Sequence, residues 1–378
     1  MSAAAAPALA PPFTPEHEEL RAEVREFIET ELRPHAREWE EARWFPDEVF
    51  GKLAERGFLG LKYPEEYGGS DRGYLADAVF TEELARCGSG GLAAGIGAHI
   101  GIATPPVWKF GTDDQKRRYL APAIRGESIA ALAITEPDAG SDVAGLRTRA
   151  EAVDGGWVVR GSKTYITNGV RASFYVTAVK TTQEGGHHGI SFLIVEAQDA
   201  VRSSKLEKLG WHASDTGEVV FDEAFVPVEN LLGSEHGGFQ LIMANFQWER
   251  LLMALGAVEA MHVALERARE AASGTPTQSV RHKIAELSVR ARGCRDLTYF
   301  ALGLFVAGHN AIQEVTQAKL LSQRAAYEVM DECLQLRGEA GYFEDFELQR
   351  AARDARLGPI GGGTDEIMRE ILGRTMGL

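Results

Sequence analysis

The chain reads as an α+β multidomain protein, a helical domain followed by a compact β domain and then a long helical bundle. Three observations predict this. Apolar residues recur with helical spacing up to about Arg125. After Gly126 the pattern changes to short runs of β-branched and aromatic residues separated by turn residues. From about Gly237 long helical stretches return. Helices, then strands, then helices is not the alternation of a doubly wound sheet.

The elements follow in order. Met1–Phe13, rich in alanine and proline, is expected to be a disordered lead-in. It has neither the basic start nor the long apolar run of a signal peptide. Thr14-Pro15 has the form of an N-cap followed by proline at the first helical position. Leu20, Val24, Phe27, Ile28 and Leu32 then fall on one helical face. Further helical patterns run through Pro46–Arg56, Leu75–Arg86 and Thr112–Leu120, giving an N-terminal helical domain over 14–125. In the β domain, 126–234, strands are expected at Trp157–Arg160, Ser173–Lys180, Ile190–Val195 and Glu218–Val226. Asp154-Gly155-Gly156 and Gly185-Gly186 punctuate them, and His187-His188 sits at a hairpin tip. The C-terminal helical domain, 235–378, holds long helices at Phe239–Ala271, Thr277–Ala307 and Ala311–Arg337, with a shorter one from Asp365. In the third, Val315, Ala318, Ser322, Ala325, Val329 and Cys333 form a stripe expected to face the bundle core.

Composition narrows the function classes. Hydrophobic content of 44% and charged content of 25% are ordinary for a globular protein. A net charge of −15 argues against nucleic acid and anionic membrane as partners. No apolar run approaches the length of a membrane span. The scattered Cys87, Cys294 and Cys333 form no zinc or disulfide pattern, which suits a reducing cytoplasm. No metal site is expected, and His187-His188 lacks ligand spacing. Gly95, Gly97 and Gly101 mimic a dinucleotide loop, but the spacing is wrong and no strand precedes them, so close helix packing is expected there.

Two segments carry the chemistry. Ala131–Asp142, ALAITEPDAGSD, ends in a tight turn expected at Gly140 and Ser141. Lys163–Gly169, KTYITNG, follows a strand. Together they supply the hydroxyls of Thr135 and Thr167, the amides after Ile134, the ring of Tyr165 and a patch of turn amides. These groups suit a flat, hydrogen-bonding heterocycle, with Tyr165 against its face and Gly140 and Ser141 close to phosphates. The pair, in this order, resembles the flavin-binding segments of the acyl-CoA dehydrogenase family, and the resemblance runs from about Thr14 to Gly377. Lys208–Thr216, Val219–Asp222, Val226-Pro227 and Leu231–Gly233 resemble the ending of that family's β domain. His212 within it is read as a surface turn residue.

The resemblance implies a central β-barrel-like domain, a C-terminal four-helix bundle, a homodimer or homotetramer, and FAD as cofactor. It also implies a catalytic glutamate that takes the α proton of an acyl thioester while hydride leaves the β carbon for flavin N5. In much of the family this glutamate precedes a C-terminal Gly-Thr. Here Gly362 stands in its place, before Gly363-Thr364. In isovaleryl- and long-chain-type members the glutamate lies on a bundle helix directly before an arginine. Glu249, before Arg250, matches that position, with Phe246, Gln247, Arg250 and Gly363 implied around the substrate. The family's contacts to the ADP half of FAD match less well. Gln335 and Gly338 begin the expected turn, but Glu339 replaces its second glycine; Thr364 and Glu366, at the last helix, are implied as further cofactor contacts. The family's Arg-x-x-Phe-Gly loop has no equivalent at Arg269–Gln278, where the text is shorter.

The expected activity is FAD-dependent α,β-dehydrogenation of an acyl-CoA, or of a thioester on an acyl carrier protein, with an electron-transfer flavoprotein as acceptor. Two rivals remain open: a same-fold flavin monooxygenase or oxidase, and a degenerate subunit of a hetero-oligomer.

Overall fold

The structure, a computed structural model, describes residues 13–182, 186–272, 274, 276–343 and 346–378. It packs as two compact units. One comprises Met1–Arg37, Gly73–Gly90 and Arg250–Leu378; the other comprises Glu38–Arg72 and Gly91–Glu249. The expected lead-in lies outside the described residues except for Phe13. That residue is buried, with its ring edge-on to Tyr299 at 5.3 Å, so it packs although it was expected in the lead-in.

The N-terminal helices are α1 Pro15–Phe27, α2 Ala36–Ala42, α3 Glu48–Glu55, α4 Gly73–Leu84, α5 Gly90–Ala98, α6 Thr104–Phe110, α7 Asp113–Gln115 and α8 Ala121–Ile124. Thr14 is the N-cap of α1 with Pro15 at its first position. The predicted apolar face of this segment, Leu20 to Leu32, is buried throughout. The pattern over Thr112–Leu120 resolves into α7 and a π-turn at Lys116–Leu120. Thr112 closes a capping box there, accepting the Gln115 N–H at 3.2 Å while Gln115 Oε1 accepts the Thr112 N–H at 3.0 Å.

The strands are β1 Ala130–Ala133, β2 Arg149–Val153, β3 Gly156–Ile166, β4 Phe174–Lys180, β5 Ile190–Glu196, β6 Val201–Lys205, β7 Gly217–Pro227 and β8 Leu231–Leu232. They form one sheet in the order β6-β7-β3-β2-β4-β5-β8, with β1 parallel to β4. Its path is open, since β6 and β8 are not paired with each other. One face still closes on itself: Val159, Val219 and Phe221 share a core with Tyr175, Val179, Leu193 and Val195. The other face packs Val176, Phe192 and Ile194 against Tyr63, Val107 and Leu120 of the helices. Sequence reading missed β1, β2, β6 and β8. The first is too short and alanine-rich to signal itself, and β6 is mostly exposed.

The C-terminal helices are α9 Gly238–Ala271, α10 Gln278–Val306, α11 Ile312–Phe343, α12 Phe346–Ala355 and α13 Asp365–Thr375. The stripe from Val315 to Cys333 is fully buried, as its period required. Within α11 the chain leaves helical geometry at Gly338, with φ 57° and ψ −132°, a region that glycine alone adopts readily. Sequence reading ended that helix at Arg337, which is where the break falls. It missed α12. Gly95 fits close packing, since a Cβ there would meet the Phe45 ring at 2.8 Å; Gly97 has open space around it.

Candidate active site

Two strands bring the quoted segments together. β1 runs into Ile134 and Thr135, and β3 ends at Ile166. The pairing of β3 with β7 shifts register between Lys163 and Ile166. Within that bulge the Thr164 N–H donates instead to the Thr135 carbonyl at 2.8 Å. Tyr165 takes φ 60° there and is 70% exposed. A bulky residue in the left-handed region is strained by about 1–3 kcal/mol, and such strain clusters at functional sites. The result is a ring held out to solvent, while Thr135 and Thr167 are half-buried.

The turn after Thr167 is tied down from several sides. Asn168 is fully buried at φ 61°, and its amide donates to the Gly95 carbonyl at 2.9 Å. Asp215 accepts the N–H groups of Val170 and Arg171 at 3.0 and 2.9 Å. Arg171 in turn lies over the rings of Trp44 and Phe45 and pairs with Asp47 at 2.7 Å. At the start of β1, His99 accepts the Ala130 N–H at 3.0 Å through Nδ1, and Nε2 lies 3.0 Å from the Ala123 carbonyl. Those roles need the neutral ring, with Nε2 as the donor. Burial pushes His99 down to about 4, and Lys62 acts in the same direction.

Beneath the segments lies a buried ion pair. Lys163 Nζ donates to Glu136 Oε1 at 2.7 Å and to the Ile134 carbonyl at 3.0 Å. Glu136 also accepts the N–H groups of Arg147 and Thr148 at 2.6 and 2.9 Å. Burial opposes its ionisation, yet Lys163 and these donors hold its carboxyl below the usual range. Burial pushes Lys163 down to about 8, with Glu136 resisting. Removing one partner from such a pair costs about 3–5 kcal/mol. The expected turn at Gly140 and Ser141 sits slightly earlier. It is closed by Glu136 and Ala139, which exchange main-chain hydrogen bonds of 3.1 and 3.2 Å. Gly140 and Ser141 follow it as exposed backbone, and Gly140 does not take a positive φ.

On α9, Phe246, Gln247 and Glu249 are half-buried and Arg250 is buried. Asn245 anchors this stretch through a 3.1 Å bond to the Ile102 carbonyl. In the unit that contains Arg250, residues 358–363 form a loop held by the buried Lys319. Its Nζ donates to the carbonyls of Gly358 and Gly363 at 2.9 and 2.5 Å. Gly362 and Gly363 have φ 60° and 93°, and a Cβ at Gly363 would meet the Met368 side chain at 2.6 Å. This loop supplies no carboxylate and is shaped for glycine. Thr364 caps α13, accepting the Ile367 N–H at 3.2 Å. Gln335, Gly338, Glu339 and Glu366 are exposed. Residues 183–185, 273 and 275 lie outside the described residues, so the stretch 269–278 and the turn expected at Gly185-Gly186 are only partly covered.

Sequence reading assigned no role to Glu136, Lys163, Asn168, Asp215, His99 or Lys319. The available signal was a charged or amide residue inside an otherwise apolar strand or helix stripe, which needs a partner if buried. His212 is a turn residue, with Nε2 at 3.0 Å from the Lys208 carbonyl. Among the described residues no cluster of three or more His, Cys, Asp or Glu could hold a metal ion. None of the described helices is long and apolar enough to cross a membrane.

Comparisons with known proteins agree along the whole chain. The models of the acyl-CoA dehydrogenase N-terminal, middle and C-terminal domains match residues 14–127, 131–224 and 236–377. An acyl-CoA dehydrogenase of Bacillus subtilis is 35% identical over 371 residues, covering 96% of this chain and 98% of that protein. The mitochondrial long-chain specific acyl-CoA dehydrogenase of Mus musculus is 35% identical over 374 residues, covering 96% and 86%. The crystal structure of an acyl-CoA dehydrogenase from Geobacillus kaustophilus superposes with a TM-score of 0.95 at 36% identity, covering 98% of this chain and 100% of that one. With three domain models matched in order and relatives aligned nearly end to end, the chain belongs to the acyl-CoA dehydrogenase family and is a flavoprotein oxidoreductase of that fold.

Proposed function

We propose that this protein desaturates an acyl-CoA between its α and β carbons, with Glu249 as the base. FAD, when bound, accepts the two electrons and the hydrogen that leave the β carbon. The chain's own residues do the rest. Thr135, the amide that follows Ile134, and Thr167 hold the electron-rich edge of the flavin ring, and Tyr165 covers its face. What supports this is that the register shift between Lys163 and Ile166 leaves the Tyr165 ring exposed, close in sequence to Thr167 and on the segment hydrogen-bonded to Thr135.

The thioester carbonyl acidifies the α C–H, and a carboxylate is the base suited to take that proton. The observation that carries the reading is the exchange between two places. Gly362 and Gly363 take φ 60° and 93°, which favours glycine, while Glu249 stands half-buried on α9 next to the buried Arg250. Arg250, Phe246, Gln247 and Gly363 are proposed to line the acyl thioester. Gln335, Gly338, Thr364, Glu366, Gly140 and Ser141 are proposed to serve the phosphate and ADP portions of FAD. A homodimer or homotetramer in the cytoplasm, reoxidised by an electron-transfer flavoprotein, completes the proposal. An acyl carrier protein remains the alternative carrier.

Glu249→Gln tests the base. The amide keeps the shape and removes the proton acceptor, so turnover should fall by roughly 10²-fold or more while FAD stays bound. Flavin bleaching by acyl-CoA at the parent rate in this variant sinks the assignment.

A further inference from the structure

Lys163 is fully enclosed, yet its ammonium is not simply neutralised by Glu136. It also donates to the Ile134 carbonyl at 3.0 Å. That carbonyl belongs to the peptide group whose N–H is Thr135's. Resonance couples the two ends of a peptide, so a cation on the oxygen draws electron density from the nitrogen and strengthens its N–H as a donor. Glu136 spreads its own charge over two backbone N–H groups as well as the ammonium. The ammonium therefore bridges Glu136 and the Ile134 carbonyl, and the carboxylate's charge is shared with the N–H groups of Arg147 and Thr148.

We infer that Lys163 is a positioning residue that polarises the Ile134–Thr135 peptide, strengthens its N–H toward the flavin edge that gains negative charge on reduction, and so raises the reduction potential of the bound cofactor. The inference rests on the proposed placement of Thr135 at that edge. A further contact between β3 and the segment after β1, Thr164 N–H to the Thr135 carbonyl at 2.8 Å, holds the neighbouring peptide in register without charge. Register and charge can therefore be separated by substitution.

The test uses Lys163→Met and the double variant Glu136→Gln/Lys163→Met, each purified with FAD. Lys163→Met leaves a buried carboxylate without its cation and should unfold at lower temperature. The double variant removes that orphan charge and should recover thermal stability, so it carries the test if the single variant folds poorly. In both, the flavin potential should fall. A tenfold change in the ratio of reduced to oxidised flavin affinity is about 30 mV for a two-electron couple, and a shift of that size is expected. A purely structural role predicts the opposite pattern, with the potential returning to the parent value as stability returns, and that result overturns the inference. So does a folded double variant that no longer holds FAD. Thr167→Val, measured alongside, separates the two ways of failing. If it alters the flavin spectrum while the Lys163 variants keep the parent potential, polarisation alone is wrong. If no variant alters spectrum or potential, the placement of the flavin edge is wrong as well.

Discussion

Tyr165 and Asn168, both at positive φ, bracket Thr167. The strain of the first is offset by packing around the second, whose amide reaches the Gly95 carbonyl. Thr167 thus gains a fixed direction from neighbours and makes little of the core itself. Its substitution should act on the cofactor and not on the fold. Thr167→Val is expected to shift the flavin absorption bands or the redox behaviour through loss of a hydroxyl donor. Apoprotein melting should change little, within the range of about 0.5 kcal/mol usual for sites outside the core. Paired spectra and apoprotein melts check this. A large apoprotein loss with an unchanged holo spectrum would assign Thr167 to structure.

At the scale of elements, α11 shows how one residue type fixes a break. Gly338 leaves helical geometry, and the next residue, Glu339, is exposed at the turn proposed to take the ADP half of FAD. A carboxylate beside a pyrophosphate is repelled by an amount that solvent access sets. Glu339→Gly should tighten FAD binding several-fold and change FMN binding little, since FMN lacks the adenylate. Titration of both cofactors into apoprotein reads the difference. Equal FAD affinity in parent and variant would mean that Glu339 points away from the phosphates. The 358–363 loop is the complementary case. There a buried lysine on α11 fastens glycine carbonyls, so the loop's shape is set by an element distant in sequence.

For the whole molecule, buried titratable groups set the response to pH. His99 is held neutral, and its value falls from 6.5 to about 4 in the folded protein. The unfolded chain takes up this proton below about 6.5, the folded one only near 4. The contribution to stability is therefore full above pH 6.5 and is lost as pH falls toward 4, by up to roughly 3 kcal/mol. Glu136, held low, acts in the same direction at more acid pH. Glu82, in the other unit, works oppositely: burial raises it to about 7, so its contribution is lost as pH rises through 7. Melting temperatures of parent and His99→Gln from pH 8 to 4 should converge toward acid, because the variant lacks the histidine's share of the slope. Parallel curves across 6.5 to 4 would remove His99 from that role.

Sequence alone determined the order of helical, β and helical segments, the buried stripe of α11, the cap at Thr14 and the two segments by which the chain resembles its family. Each is written in local periodicity or in contiguous residues, where neighbours along the chain are neighbours in space. Glycine at 362 and glutamate at 249 stand as a paired departure at two separated positions, on which the role proposed for Glu249 rests. Tertiary structure alone decided what lies under those motifs. The Lys163–Glu136 pair, the anchoring of Asn168 on Gly95, the hold of His99 on β1 and that of Lys319 on the 358–363 loop each join residues far apart in sequence. A buried polar group must find a partner, but sequence does not say which, because any segment the fold brings within about 3 Å can supply it.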